Sequence, residues 1–419
     1  MTRAALRLAA GVVALEFAAA VSQFVSATLL PTVATALDAR AHLGLLLAGP
    51  TLGLFVALPL APAVLHRIGP RRTLAAGMAA YLIGAAVSAT AVSAWVYAGG
   101  RFTGGLGSGL LGVFGVSAVI RELDERFRAR LVAASSAMWI LPAFVGPPAT
   151  LALEHAVGWR WALLAPIPVV LAGRLLVAGA ATAAPDEPAQ RRPVRRTLLI
   201  PAGVALLLAS RFPVLIAAGA VIALVGVARL MPAGTVRLRP GAPAALAAML
   251  LFATGWFGAD GLVTVMFTDG YGTSVGRAAI VLSAAPLAWG VTSLAAPRKV
   301  PPAVGLALAA AGVAVVATSF SYGLGLVAWT LAGVGIGLAY PGLYLRCTPA
   351  GGPATLPATV LATAVITAEA FGALLGSAAG GLLASASGLV PAYAAFAAVL
   401  VLAALAATRS VPAREPVPA

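Results

Sequence analysis

The chain has 419 residues, 61% hydrophobic and 9% charged, with a mean hydropathy of +1.01. No soluble domain of that length has such a balance, so the chain is a polytopic membrane protein. A formal charge of +15 would point a soluble protein toward nucleic acid, but here the basic residues follow a membrane topology and exclude that partner.

Arg40, Arg160, Arg211 and Arg277 fall in one set of loops, Arg101 and Arg174 lie within helices, and the rest of the 27 Lys/Arg occupy the alternate loops and tails. This positive-inside asymmetry predicts an inner (plasma) membrane protein with both termini cytoplasmic. The first helix is predicted from about Leu8 to Leu30. Arg3 and Arg7 precede it as in a signal peptide, but its length and Glu16 mark it as a membrane helix. Beyond the loop at Asp38 to His42, helices are predicted over Leu43 to Leu65 and Thr73 to Val92, joined by the basic turn His66 to Arg72. Trp95 to Ile120 follows, then the charged segment Arg121 to Arg130, then Leu131 to Leu153. Past Gly158-Trp159-Arg160-Trp161, a sixth helix ends near Thr182.

Two shorter apolar arms come next, Leu198 to Ala209 and Val214 to Leu230, on either side of Ser210-Arg211-Phe212-Pro213. Flanked by basic clusters, they predict a spanning helical hairpin; because each is shorter than the usual ~20 residues, an interfacial or re-entrant hairpin is the alternative. Six more helices are predicted over Ala244 to Phe267, Ala278 to Ala296, Ala303 to Ser319, Leu324 to Leu345, Ala358 to Ala384 and Leu389 to Thr408. The expected architecture is therefore an all-α polytopic membrane protein. It has a six-helix bundle over 1–182, a central linker with its hairpin over 183–241, a second six-helix bundle over 242–408 and a cytoplasmic tail over 409–419, about fourteen membrane segments in all.

The two bundles look like repeats. Laying Gly105 on Gly333 without gaps also superposes Gly107 on Gly335, Gly109 on Gly337 and Arg71 on Lys299. Glycines in phase let a neighbouring backbone approach closely, which is how helices pack in lipid, and internal repeats are a common way of building secondary transporters.

Chemistry within the membrane is confined to a few residues. Glu16, Asp260 and Glu369 are carboxylates inside helices, rare enough there to be candidate proton carriers. Glu16 shares a helical face with Gln23 and Ser26, which predicts that this side of the first helix faces a wet cavity. Asp260 stands between Trp256 and Thr264 at i−4 and i+4. Glu369 begins a Gly372, Gly376, Gly380 stripe, which favours a packing role for it. Trp329 takes the place of Arg101 in the repeat, and Tyr340 and Tyr344 continue that face as candidate walls of a mixed apolar cavity; core or lipid-facing aromatics are the plainer alternative. At about 1.5 Å per residue, Asp260 stands some 24 Å up a ~30 Å core, with Arg101 at a similar height, so the two could meet across the cavity. Cys347 is the only cysteine, and His42, His66 and His155 show no metal-ligand spacing, so neither a metal nor a cofactor is expected. Gly107 to Gly112 spells G-x-G-x-x-G, but within membrane helix and with no strand before it, so it is no nucleotide site.

Several of these stretches, in order along the chain, resemble the major facilitator superfamily and in particular its drug/proton antiporters. Arg67, Gly69 and Arg71 match that family's loop signature G-x-L-x-D-R-x-G-R-R, with Pro62, Val64, His66 and Pro70 departing from it. His66 stands where the family has the aspartate that helps latch the halves. Arg101-Phe102-Thr103-Gly104-Gly105-Leu106-Gly107 is similar to R-x-x-Q-G-x-G, in which the arginine is tied to proton transfer; an arginine snorkelling to the interface is the alternative. Gly146-Pro147 looks like the core of the antiporter motif, where proline otherwise marks only a kink. Leu29-Leu30-Pro31, ending the first helix, and Gly158-Trp159-Arg160-Trp161 also look like the antiporters.

The resemblance implies a monomeric transporter working by alternating access. It would exchange protons for a small organic, drug-like compound; the buried charges and polar or aromatic faces described above put Asp260, Glu16, Arg101 and Glu369 forward for coupling and Gln23, Ser26, Trp256, Thr264, Trp329 and Tyr340 for binding substrate. A proton symporter or facilitator importing a metabolite is the alternative within transport. A membrane enzyme would need reactive residues clustered at a helix end, whereas Asp38, Glu154 and Asp269 are well separated. A non-transporting scaffold would tolerate neutral residues at all three buried carboxylates.

Overall fold

The structure is a computed structural model that describes residues 3–122, 140–178, 194–210, 212–295, 300–319, 321–347 and 358–410. The loop to Arg130, the start of the predicted fifth helix, the basic cluster before Val194, Arg211, Lys299 and the tail past Ser410 lie outside them. Within them the chain is helical: α1 (Arg3–Ala36), α2 (Leu43–Ala89), α3 (Ala94–Glu122), α4 (Ile140–Val157), α5 (Ile167–Ala178), α6 (Val194–Ala209), α7 (Pro213–Leu230), α8 (Ala242–Val265), α9 (Val275–Ala295), α10 (Pro302–Thr318), α11 (Tyr322–Cys347), α12 (Ala358–Ser387) and α13 (Leu389–Thr408). Short turns add Arg40–His42, Trp159–Ala162 and the π-turn Met266–Gly270.

Ten helical stretches here are long and apolar enough to cross a membrane, and Leu198–Ala209, Val214–Leu230 and Pro302–Thr318 are shorter. The fourteen expected segments exceed that count by four: these three fall below the ~20 residues that a helix needs to span the hydrocarbon unaided, and α3 is not among the ten.

Two expected breaks take other forms. The second and third predicted helices run together in α2, interrupted at Gly69 (φ 77°, ψ 168°). That backbone region is open to glycine alone, and nothing stands within 4 Å of where a Cβ would lie, so the requirement is conformational and not steric. Thr73 then donates to the Gly69 carbonyl at 2.8 Å to restart the helix.

Pro31 does not end α1, which continues to Ala36. A proline withholds the N–H that would bond the carbonyl four residues back. That carbonyl, Ala27 O, instead accepts the Thr264 hydroxyl of α8 at 2.7 Å. Pro341 in α11 likewise frees Gly337 O, which accepts from Ser293 of α9 at 3.3 Å. Hydroxyls on neighbouring helices thus restore the balance that an apolar surrounding demands.

The repeat is visible atom by atom. A Cβ on Gly107 would meet Gly77 O and Tyr81 N, each at 2.5 Å; one on Gly335 would meet Gly305 O at 2.5 Å and Ala309 N at 2.7 Å. Gly109 lies against Ala57 and Leu54, Gly337 against Thr292 and Trp289. Gly84 lies against Gly100 and Gly104, Gly312 against Ala328 and Ala332. In each pair the partners keep the same spacing, so the two halves are packed in one register. Gly158 (φ 85°) and Gly388 (φ 97°) open the Trp159 turn and α13 at corresponding places.

Candidate functional site

The halves meet along a seam whose described contacts begin at the end of the molecule carrying Arg40. There Arg40 pairs with Asp269 of the π-turn, the one ion pair among the described residues. Gly44 of α2 lies against Gly381 of α12, backbone to backbone. Deeper in, Leu47 reaches Gly261, Thr264 bonds Ala27, and Phe55 meets Phe371 edge-on at 6.3 Å. At mid-depth Ile140 of α4 packs on Gly290 of α9. The sequence offered no means of pairing Arg40 with Asp269, which lie in loops of different halves.

Asp260 sits one turn from the seam bond of Thr264. Its Oδ1 is buried and has no hydrogen-bond partner among the described residues, although the residue as a whole is only partly buried. Such a carboxylate oxygen is costly unless a proton, a water or a ligand meets it. Tyr393, within electrostatic range of Asp260, gives its own hydroxyl proton to Ala259 O at 2.8 Å.

Arg101 and Asp260 do share a height. Arg101 Cβ lies 3.2 Å from where a Cβ on Gly49 would stand, and Gly261, next to Asp260, lies against Leu47, two residues away on the same helix. They nevertheless stand on different sides of that stretch of α2 and do not pair. Arg101 lies within the first half, within electrostatic range of Tyr81 and Tyr97, and Tyr81 interacts with Ser22 of α1.

On α1, Gln23 is exposed and Ser26 bonds its own helix at Ser22 O, 2.7 Å away. The Glu16 side chain lies outside the described atoms. Trp256 and Trp329 are 1% and 0% exposed and stack on each other at 5.0 Å and 9°, at the heart of the second half. In front of them stands Trp289 of α9, a residue the sequence reading passed over, at 6.3 Å from Trp256 and 5.3 Å from Tyr340. Its signal was a tryptophan inside a membrane helix, about two turns from the helix end. The Tyr340 hydroxyl donates to Glu369, at 3.1 Å from Oε2 and 3.3 Å from Oε1. The glycine stripe after Glu369 does pack tightly, with Gly372 on Leu250 and Ala253 and Gly376 on Thr254.

Of the loop residues, His66, Arg67 and Arg71 are exposed around the Gly69 break. A Cβ on Gly146 would meet Phe24 of α1 at 3.1 Å, with Pro147 buried beside it. No group of three or more potential metal ligands occurs among the described residues.

A family model described as Major Facilitator Superfamily matches residues 12–349. No curated protein matches the sequence. Among solved structures, a D-xylose-proton symporter is similar with a TM-score of 0.67 at 16% identity, over 97% of this chain and 98% of its own. The xylose transporter XylE from E. coli in an inward-open conformation has a TM-score of 0.64 at 16% identity, over 97% and 96%. In its partially occluded inward-open form the score is 0.62 at 16%, over 98% and 99%. At this identity the likeness is one of fold.

Proposed function

The chain belongs to the major facilitator superfamily, and from that premise we propose that it is a proton-coupled transporter of a small organic compound, working by rocking of its two halves. The observation that carries the reading is the unpartnered Oδ1 of Asp260, one turn from the bond that joins the halves. A carboxylate so placed can take a proton in one conformation and yield it in the other. Arg101, at the same height in the first half, acts on that exchange through the intervening helix, and Glu16 stands in reserve on α1. The halves are residues 1–182 and 242–408, and the protein works as a monomer in the plasma membrane.

Two directions of coupling have support. Gly146-Pro147, packed on α1, favours drug/proton antiport, since that motif is the antiporters' own. One of the solved structures, a D-xylose-proton symporter by name, favours symport, and at 16% identity it weighs on fold more than on coupling. Reconstituted protein in liposomes with an internal pH dye decides. A small organic solute that drives protons with it marks symport, one that drives them the other way marks antiport, and solute flux indifferent to an imposed pH difference overturns the proposal.

The α6–α7 hairpin spans the membrane on this reading. Support comes from Leu208, at the tip of α6, which lies against Gly44 at the Arg40 end of α2. In a Cys347→Ala background, cysteines at Arg40, Arg160, Arg277 and Phe212 are expected to react with an impermeant thiol reagent in intact cells. Silence at Phe212 alone would mark an interfacial or re-entrant hairpin.

A further inference from the structure

We propose that Glu369, Tyr340 and Trp289 form a recognition site for an organic ammonium ion, which deepens the transport reading by naming the chemical class of the cargo. Glu369 lies in the membrane-spanning part of α12, and its described donor is one tyrosine hydroxyl, shared between both oxygens. A carboxylate offers about four lone-pair positions, so a single O–H leaves most of its capacity open. No basic side chain of the described residues forms an ion pair with it. The nearest arginine in sequence to Tyr340, Arg346, is turned to Ser410 Oγ at 2.8 Å and Ala407 O at 3.4 Å.

The tyrosine that meets this carboxylate belongs to an aromatic cluster. Trp289 and Tyr340 stand at 5.3 Å and 62°, and Phe252 closes the corner at 6.3 Å from Trp289 and 5.9 Å from Tyr340. Faces of this kind attract a cation by their quadrupole, most strongly where water is sparse. Trp289, Tyr340 and Glu369 each keep part of their surface accessible, while the Trp256–Trp329 stack behind them is sealed. The front row is therefore where a ligand touches, and the sealed stack is its support. A neutral polyol would ask for several donors and acceptors, and one carboxylate among rings supplies few. Glu369 acts here as counter-ion, leaving proton exchange to Asp260.

The test uses purified protein in detergent, with no gradient, and tryptophan fluorescence as the readout. Benzyltrimethylammonium is expected to bind saturably, at least about tenfold more tightly than its uncharged isostere neopentylbenzene. Glu369→Gln should erase that preference. Tyr340→Phe, which keeps the charge and removes its described donor, should tighten the cation a few-fold, a change that a merely structural role would not produce. Equal binding of the two probes, a preference retained in Glu369→Gln, weaker cation binding in Tyr340→Phe, or tighter binding of D-xylose than of the cation would each overturn the site. Failure of the transport reading shows instead as absent flux in liposomes and leaves these binding results unaltered.

Discussion

Transport by Asp260→Asn is expected to lose its dependence on the proton gradient while exchange of solute across the bilayer survives. For one proton per solute, a pH difference of one unit is worth about 1.4 kcal/mol, or roughly tenfold in accumulation. That factor should fall to about one in the variant. Asparagine keeps the shape of the side chain and can still present an oxygen where Oδ1 stands unpartnered, but it cannot carry a proton in transit. Counterflow of labelled against unlabelled solute, which needs only the movement of the halves, should persist and shows that the protein is folded. Unchanged gradient-driven accumulation in Asp260→Asn would remove Asp260 from the coupling and pass the role to Glu16.

The second large effect concerns packing. Gly107→Leu and Gly335→Leu should each destabilise the protein by about 3 kcal/mol or more, since the clash is with backbone that has no rotamer to change. In both cases the first atom of the new side chain already meets a carbonyl oxygen at 2.5 Å. Gly99→Ala and Gly104→Ala, where nothing lies within 4 Å, are the matched controls and should be near neutral. Thermal unfolding of the purified proteins checks the order. Loss in one leucine variant and tolerance in its counterpart would show that the halves are not packed alike.

The glycine result explains how much of the fold was legible. In so apolar a chain hydropathy marks each helix, and the absence of a side chain marks where two helices touch, so Gly105, Gly107 and Gly109 carried contact information in one dimension. The end of α1 was misjudged because Pro31 continues the helix only by virtue of Thr264, far away in sequence. Counting residues gave Arg101 and Asp260 their common height but not the direction each takes around its helix, and direction separates them. Trp256 and Trp329 were expected to meet substrate and are instead sealed in a stack, which only the packed structure distinguishes from the partly accessible ring of Trp289 beside it. The same limit hid the Arg40–Asp269 pair, since the sequence gives the sign of loop charges and not their company across the seam.

The carbonyl that Pro31 leaves free has a consequence for hydration. When α8 draws away from α1, Ala27 O gives up the Thr264 hydroxyl, and the proline has no N–H to replace it. A bare carbonyl in a dry interior costs about 1–3 kcal/mol, whereas one met by solvent costs little. On the proposed rocking of the halves, separation at that point and the arrival of the first water molecules would be a single event, with the Arg40 end admitting solvent as it parts instead of opening first and filling afterwards.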